Sequence, residues 1–215
     1  AIWKNKIAVL VGDFLLSKGM LLCIDNKDYD ILDVISESVK QMSEGELLQI
    51  EKSKKLDIDE ETYFEIIKKK TASLISSCCK IAAISVGSKP NQIKKIARLG
   101  LNIGIAFQIK DDLFDYGKKR IGKPRGIDIK QKKLTLPLIY TINKVERREK
   151  KWLISSLKKS KKNKALINQI ISLVKEKGGL DYAIEKMNMY HKLALDELET
   201  FDDCSYKDSL TKMIN

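Results

Sequence analysis

The chain has 215 residues, 43% hydrophobic and 33% charged, enough for one medium-sized domain with a real core and too apolar for a disordered segment. Three prolines and eleven glycines are too few turn residues for a many-stranded β protein. The net charge of +12 comes from lysines scattered over nearly every segment, so it argues against a nucleic-acid binder and fits a solvated surface or attraction to anionic small molecules.

Apolar residues recur at three- and four-residue steps, which predicts helices throughout. Ile7 to Leu22 reads as the first. Ile31 to Glu51 is the second, with Ile31, Val34, Ile35, Val39, Met42 and Leu47 as its inner stripe. The polar break KSKKLDIDEET leads into a third, from about Glu60 to Val86, and VGSKP ends it. Pro90 then suits the first turn of a fourth helix reaching about Tyr116. A glycine- and lysine-rich loop over 117–133 follows, and long irregular loops inside helical bodies tend to carry function. Three more helices are expected from about Thr135 to Lys159, Lys164 to Lys177 and Leu180 to Thr200. No internal repeat or domain linker interrupts the chain, so the expectation is an all-α, single-domain helical bundle.

Cys23, Cys78, Cys79 and Cys204 show neither C-x-x-C nor zinc spacing, and His191 is the lone histidine. The thiols are therefore expected to be reduced and mostly buried. With no signal-peptide pattern and no apolar run of membrane-span length, the expected location is cytoplasmic, without stable membrane insertion.

The fourth helix carries the chemistry. Ile93, Ala97, Leu101 and Gly104 form an apolar stripe, and the same steps continue into Gln108, Asp111 and Asp115, with Asp112 about 100° round. Three buried carboxylates would repel one another and lose hydration unless a cation compensates them. Mg²⁺, held by one or two carboxylates with phosphate oxygens completing its shell, answers both difficulties. A solvated helix end is the competing reading. Lys118, Lys119, Lys123, Arg125, Lys130, Lys132 and Lys133 follow closely, and lysines beside a carboxylate-bound metal suit a diphosphate.

The stretch FQIKDDLFDYGKKRIGKPRGIDIKQKKLTLPL, from residue 107, resembles the second aspartate-rich region of trans-type (all-E) isoprenyl diphosphate synthases. AVLVGDFLLSKG (8–19), MSEGELLQIE (42–51) and KKKTASLI (68–75) follow that family's order. The resemblance implies an isoprenoid-synthase bundle around a central cavity. It implies Mg²⁺ on Asp111, Asp112 and Asp115, and diphosphate contacts from Lys70, Lys123 and Lys133. Asp111, Asp112, Lys70 and Lys123 would be the catalytic set, with Thr71, Gln108 and Gln49 lining the substrate cavity and Asp128 anchoring the loop. The implied reaction condenses an allylic prenyl diphosphate with isopentenyl diphosphate, in a homodimer that binds no nucleic acid.

The family carries two aspartate-rich regions and this sequence shows one; the other would precede KNKIAVLVGDF. The expectation is an N-terminally incomplete synthase domain over 1–215, lacking its N-terminal helices. Ile127, Gln131 and Lys132 also replace residues more usual in the family loop. A non-catalytic synthase-like subunit that binds or modulates an active partner is the alternative reading.

Overall fold

The structure is a computed structural model that describes residues 5–56, 58–117, 126–160 and 163–214. Every regular element among them is helical. The bundle begins with α1 (Asn5–Asp25) and α2 (Tyr29–Lys55). A long broken helix follows, made of α3 (Glu60–Ile67), a π-helical turn (Lys68–Ala72) and α4 (Ser73–Ser85). Next comes α5 (Pro90–Phe114), then the short α6 (Ile127–Lys130). The rest is α7 (Leu136–Lys144), α8 (Arg147–Lys159), α9 (Lys164–Glu176), α10 (Gly179–Glu199) and α11 (Ser205–Ile214).

Local chemistry sets most of these ends. Asp59 starts α3 by accepting a 2.8 Å bond from the Thr62 amide. Pro90 opens α5, where the missing N–H costs nothing. Asn163 starts α9 by accepting from Leu166 N at 3.0 Å. Gly178, at φ 76°, turns the chain into α10.

The expectation of mostly buried thiols does not hold, since Cys23 is buried but Cys78 and Cys204 are exposed and Cys79 is half-buried. Three expectations about helix bounds also change. The third helix is interrupted by the π-turn, which single-sequence periodicity cannot show because one extra residue barely disturbs the apolar spacing. The stretch from Thr135 to Lys159 is two helices, because Val145 and Glu146 are extended (ψ 153° and 160°). The break lets the Leu153/Leu157 face of α8 turn into the core. Finally, α11 forms at the end of the described chain, held by Leu210 and Ile214 against Leu99, Ala194 and Leu198.

The main core gathers Tyr63, Ile66 and Ile67 from α3, Ile105 and Ile109 from α5, Leu136, Leu138 and Ile139 from α7, and the inner faces of α8 and α9. Within it α5 is central, packed along α4, the π-turn and α10. Two glycines let neighbours close on the π-turn. A Cβ at Gly104 would stand 2.5 Å from Ala72 Cα, and one at Gly45 would stand 2.8 Å from the Lys70 amide nitrogen. The functional turn is therefore gripped by α2 on one side and α5 on the other.

Helix α1 differs from the rest. Val9, Leu10, Phe14 and Leu15 are each more than half exposed, and Cys23 is its one buried residue. The expectation that no apolar run reaches membrane-span length does not hold here. By length and composition alone α1 could cross a bilayer, with 21 residues and a window of mean hydropathy 2.0. Asp13 and Lys18 interrupt the run without lowering its average enough.

Candidate active site

The π-turn aims two consecutive side chains at different helices. The Lys70 ammonium lies 2.5 Å from a Glu46 carboxylate oxygen on α2 and donates to Gln49 Oε1 at 3.3 Å. Thr71 faces α5 instead, its hydroxyl donating to Gln108 Oε1 at 2.8 Å. Extra residues of this kind inside helices often occur at functional sites.

From Gln108 the chain of bonds continues to Asp112. Gln108 Nε2 donates to Asp112 Oδ1 at 3.1 Å, and the Lys133 ammonium donates to the same oxygen at 2.8 Å. The Tyr63 hydroxyl donates to Oδ2 at 2.9 Å. Asp112 is fully buried (0% exposed), so these bonds replace the water it gave up.

Asp115 has another task. Its two carboxylate oxygens accept from Ile127 N at 2.7 Å and Asp128 N at 3.2 Å, and its carbonyl accepts from Gly126 N at 3.1 Å. It thus ties the end of α5 to the start of α6. Asp111, half-buried, lies close enough to Asp128 and Lys133 to act on both electrostatically. The three aspartates, one motif in the sequence, are divided among three environments.

The field here is mixed. Burial pulls the Lys133 ammonium down, but Asp112 and Asp128 outweigh it and its pKa ends above the ordinary value. Burial pushes the Asp115 carboxyl up, with the loop amides opposing. Burial, chiefly, and then the Asp112 charge hold the Tyr63 phenol well above its usual range. Burial pushes Asp128 from an ordinary 3.8 up to about 6, with Lys133 opposing and the other aspartates assisting.

Because the folded state holds the Asp128 proton to higher pH than the unfolded chain does, stability from this group falls as pH rises from about 4 to about 6. Denaturant titrations of the metal-free protein at pH 5 and pH 7 test this. Asp128→Asn, neutral at both, is expected to gain on wild type between the two pH values. A constant difference would remove the assignment.

Hard carboxylate oxygens suit Mg²⁺ or another divalent cation, but they do not form a closed cage. Among the described residues no group of three or more His, Cys, Asp or Glu side chains converges on one point. Asp112 and Asp115 each accept bonds from protein donors, and Asp111, half-buried, carries the third carboxylate of the motif. One protein carboxylate, with water and phosphate oxygens completing the shell, is an ordinary magnesium arrangement.

The structure thus brings together Thr71, Gln108, Asp112 and Lys133, and separately Lys70 and Gln49, while Lys123 lies outside the described residues, as do Lys118, Lys119 and Arg125. Sequence reasoning missed Tyr63 and Glu46. Tyr63 precedes Lys70 by seven residues, two turns on the same helix face, and a phenol there could have been noticed.

A family model described as Polyprenyl synthetase matches residues 1–174. The chain is 32% identical over 215 residues to the short chain isoprenyl diphosphate synthase of Methanothermobacter thermautotrophicus, covering 97% of this chain and 66% of that one. A decaprenyl diphosphate synthase from Rhodobacter capsulatus superimposes with a TM-score of 0.91 at 28% identity, over 99% of this chain and 66% of that one. A polyprenyl synthase from Caulobacter crescentus CB15, complexed with calcium and isoprenyl diphosphate, superimposes with a TM-score of 0.90 at 29% identity, over 99% and 66%. The chain spans just under two thirds of the length of these relatives.

Proposed function

The chain belongs to the polyprenyl synthetase family, and from that premise we propose that it acts as a trans-polyprenyl diphosphate synthase. The reaction is condensation of an allylic prenyl diphosphate with isopentenyl diphosphate, by a single synthase domain. One observation carries the reading. Lys133, Gln108 and Thr71 come from segments far apart in the chain, yet they meet through Asp112, one residue from Asp111.

Mg²⁺ held by Asp111 would neutralise charge on the departing diphosphate. The chain's own residues do the rest. Lys133, fixed by Asp112, and Lys70, released from Glu46, present ammonium groups to diphosphate oxygens. Lys123, outside the described residues, is assigned to the same diphosphate by the family resemblance alone. The allylic C–O bond breaks, its electrons leaving with diphosphate. The isopentenyl double bond then attacks the cation, and a C–H proton passes to an oxygen of the departed diphosphate as the new alkene forms. Thr71, Gln108 and Gln49 line the reacting carbons with oxygen dipoles.

The Caulobacter relative, complexed with calcium and isoprenyl diphosphate, supports both the divalent ion and the ligand class. The exposed apolar face of α1 supports a homodimer, in which a second copy covers side chains that would otherwise meet water.

The test is prenyl transfer by the full-length protein, with labelled isopentenyl diphosphate, an allylic diphosphate and Mg²⁺. Labelled, lengthened prenyl diphosphate that disappears with chelator is the expected result. No product from the protein alone, with activity appearing only when a second synthase subunit is added, would favour the non-catalytic reading.

A further inference from the structure

Tyr63 lies outside the motifs of the family resemblance, yet it is among the most enclosed polar groups of the site, with 2% of its surface exposed. Its ring packs edge-on against Phe64 at 5.4 Å between centroids, and its hydroxyl reaches Asp112 Oδ2 at 2.9 Å. An ionised carboxylate can only accept hydrogen bonds. Whatever faces Asp112 must therefore donate, and Gln108 faces it with Nε2. That choice orients the whole amide: Oε1 is turned to Thr71 and takes its hydroxyl proton at 2.8 Å. The lone pairs of the Thr71 oxygen are then what remains for the reacting carbons.

We propose that Tyr63 is a positioning residue for prenyl transfer, donating to Asp112 so that this carboxylate holds the Gln108 amide and, through it, the Thr71 hydroxyl in one orientation. The proposal rests on the synthase reading. Two alternatives are weaker. A packing role alone would be served by phenylalanine and would not require a hydroxyl aimed at a carboxylate with 0% exposure. A proton-donor role is opposed by burial and the Asp112 charge, both of which hold the phenol proton in place. Asp112 needs the second donor for a geometric reason. Lys133 and Gln108 both approach Oδ1, so without Tyr63 the carboxylate could swing about that single anchored oxygen.

The experiment compares Tyr63→Phe, Gln108→Leu and the double variant in the full-length protein, with Tyr182→Phe as the structural control. Tyr182 also donates from its hydroxyl to a carboxylate, Glu60, at 2.7 Å, but away from the Asp112 network. Tyr63→Phe is expected to lower kcat roughly ten-fold, the scale of a hydrogen bond to a charged group, with KM for both diphosphates little changed. The double variant is expected to be no slower than Gln108→Leu alone, because both changes interrupt one line of bonds. 3-Fluorotyrosine at position 63 keeps the donor and should restore the rate. In the metal-free protein, the Gln108 side-chain amide protons should exchange faster with solvent in Tyr63→Phe and not in Tyr182→Phe.

Fully additive losses, or unchanged kcat together with unchanged amide exchange, would overturn the proposal. Should wild type itself transfer no prenyl group, the synthase reading falls, and the amide exchange still reports whether Tyr63 holds Gln108. If Tyr63→Phe does not fold, 4-fluorophenylalanine at position 63, which fills the space of the hydroxyl without donating, takes its place in both measurements, and unchanged kcat with unchanged amide exchange overturns the proposal there too.

Discussion

Asp111→Ala in the full-length protein is expected to lower prenyl transfer by at least about a hundred-fold, since metal and preorganised charge supply several kcal/mol to such an ionisation. The same change should leave the melting temperature within about 2 °C of wild type, the usual outcome for a half-exposed position away from buried networks. Both halves follow from where Asp111 sits. It is half-buried and close to Lys133 and Asp128 electrostatically, whereas Asp112 is fully enclosed. Paired measurements of turnover and thermal unfolding check it. Wild-type-like transfer by Asp111→Ala would remove the metal assignment, and a large loss of stability would place Asp111 in the core network instead.

The neighbouring carboxylate should fail in the opposite way. Asp112→Ala is expected to cost about 3–5 kcal/mol of stability, the range seen when one partner of a buried charge pair is deleted. The Lys133 side chain is only 20% exposed and has its close partner in Asp112 at 2.8 Å, so the variant leaves a buried ammonium with only the longer 3.8 Å contact to Asp128. The Tyr63 hydroxyl and the Gln108 amide lose their acceptor as well. Against a typical domain stability of about 5–15 kcal/mol, this is enough to populate unfolded or aggregating protein at physiological temperature. Chemical denaturation gives the comparison directly. Asp112→Ala should shift the midpoint strongly, and Asp112→Asn, which keeps an acceptor oxygen, by less. If Asp112→Ala unfolds like wild type, the carboxylate is not the hub that its three bonds imply.

Two adjacent aspartates with different consequences mark the boundary of what the chain's letters convey. The helical class and the span of α5 were legible, because 3.6-residue periodicity and the placement of proline and glycine are local properties. So was the family, whose motifs stand in order along the sequence. The extension of the apolar helix α1 was less so, since two interior charges disguise a run whose average remains hydrophobic. The break at Val145 and Glu146 and the helix at Ser205–Ile214 depend on which neighbours were available to bury Leu153, Leu157, Leu210 and Ile214.

The sequence by itself determined that three carboxylates, a Lys-Thr pair and a lysine-rich loop belong to this protein, and that α5 places Asp111 one step from Asp112. Only the tertiary structure decided their separate roles. A motif lists residue types at fixed spacing, but whether a carboxylate turns to backbone amides, to a buried phenol and ammonium, or outward is settled by which donors the other helices deliver. Asp115 met the amides of α6, Asp112 met Tyr63, Gln108 and Lys133, and Asp111 stands half-buried within electrostatic reach of Asp128 and Lys133. Those meetings join residues as many as 49 positions apart, and no local pattern encodes them.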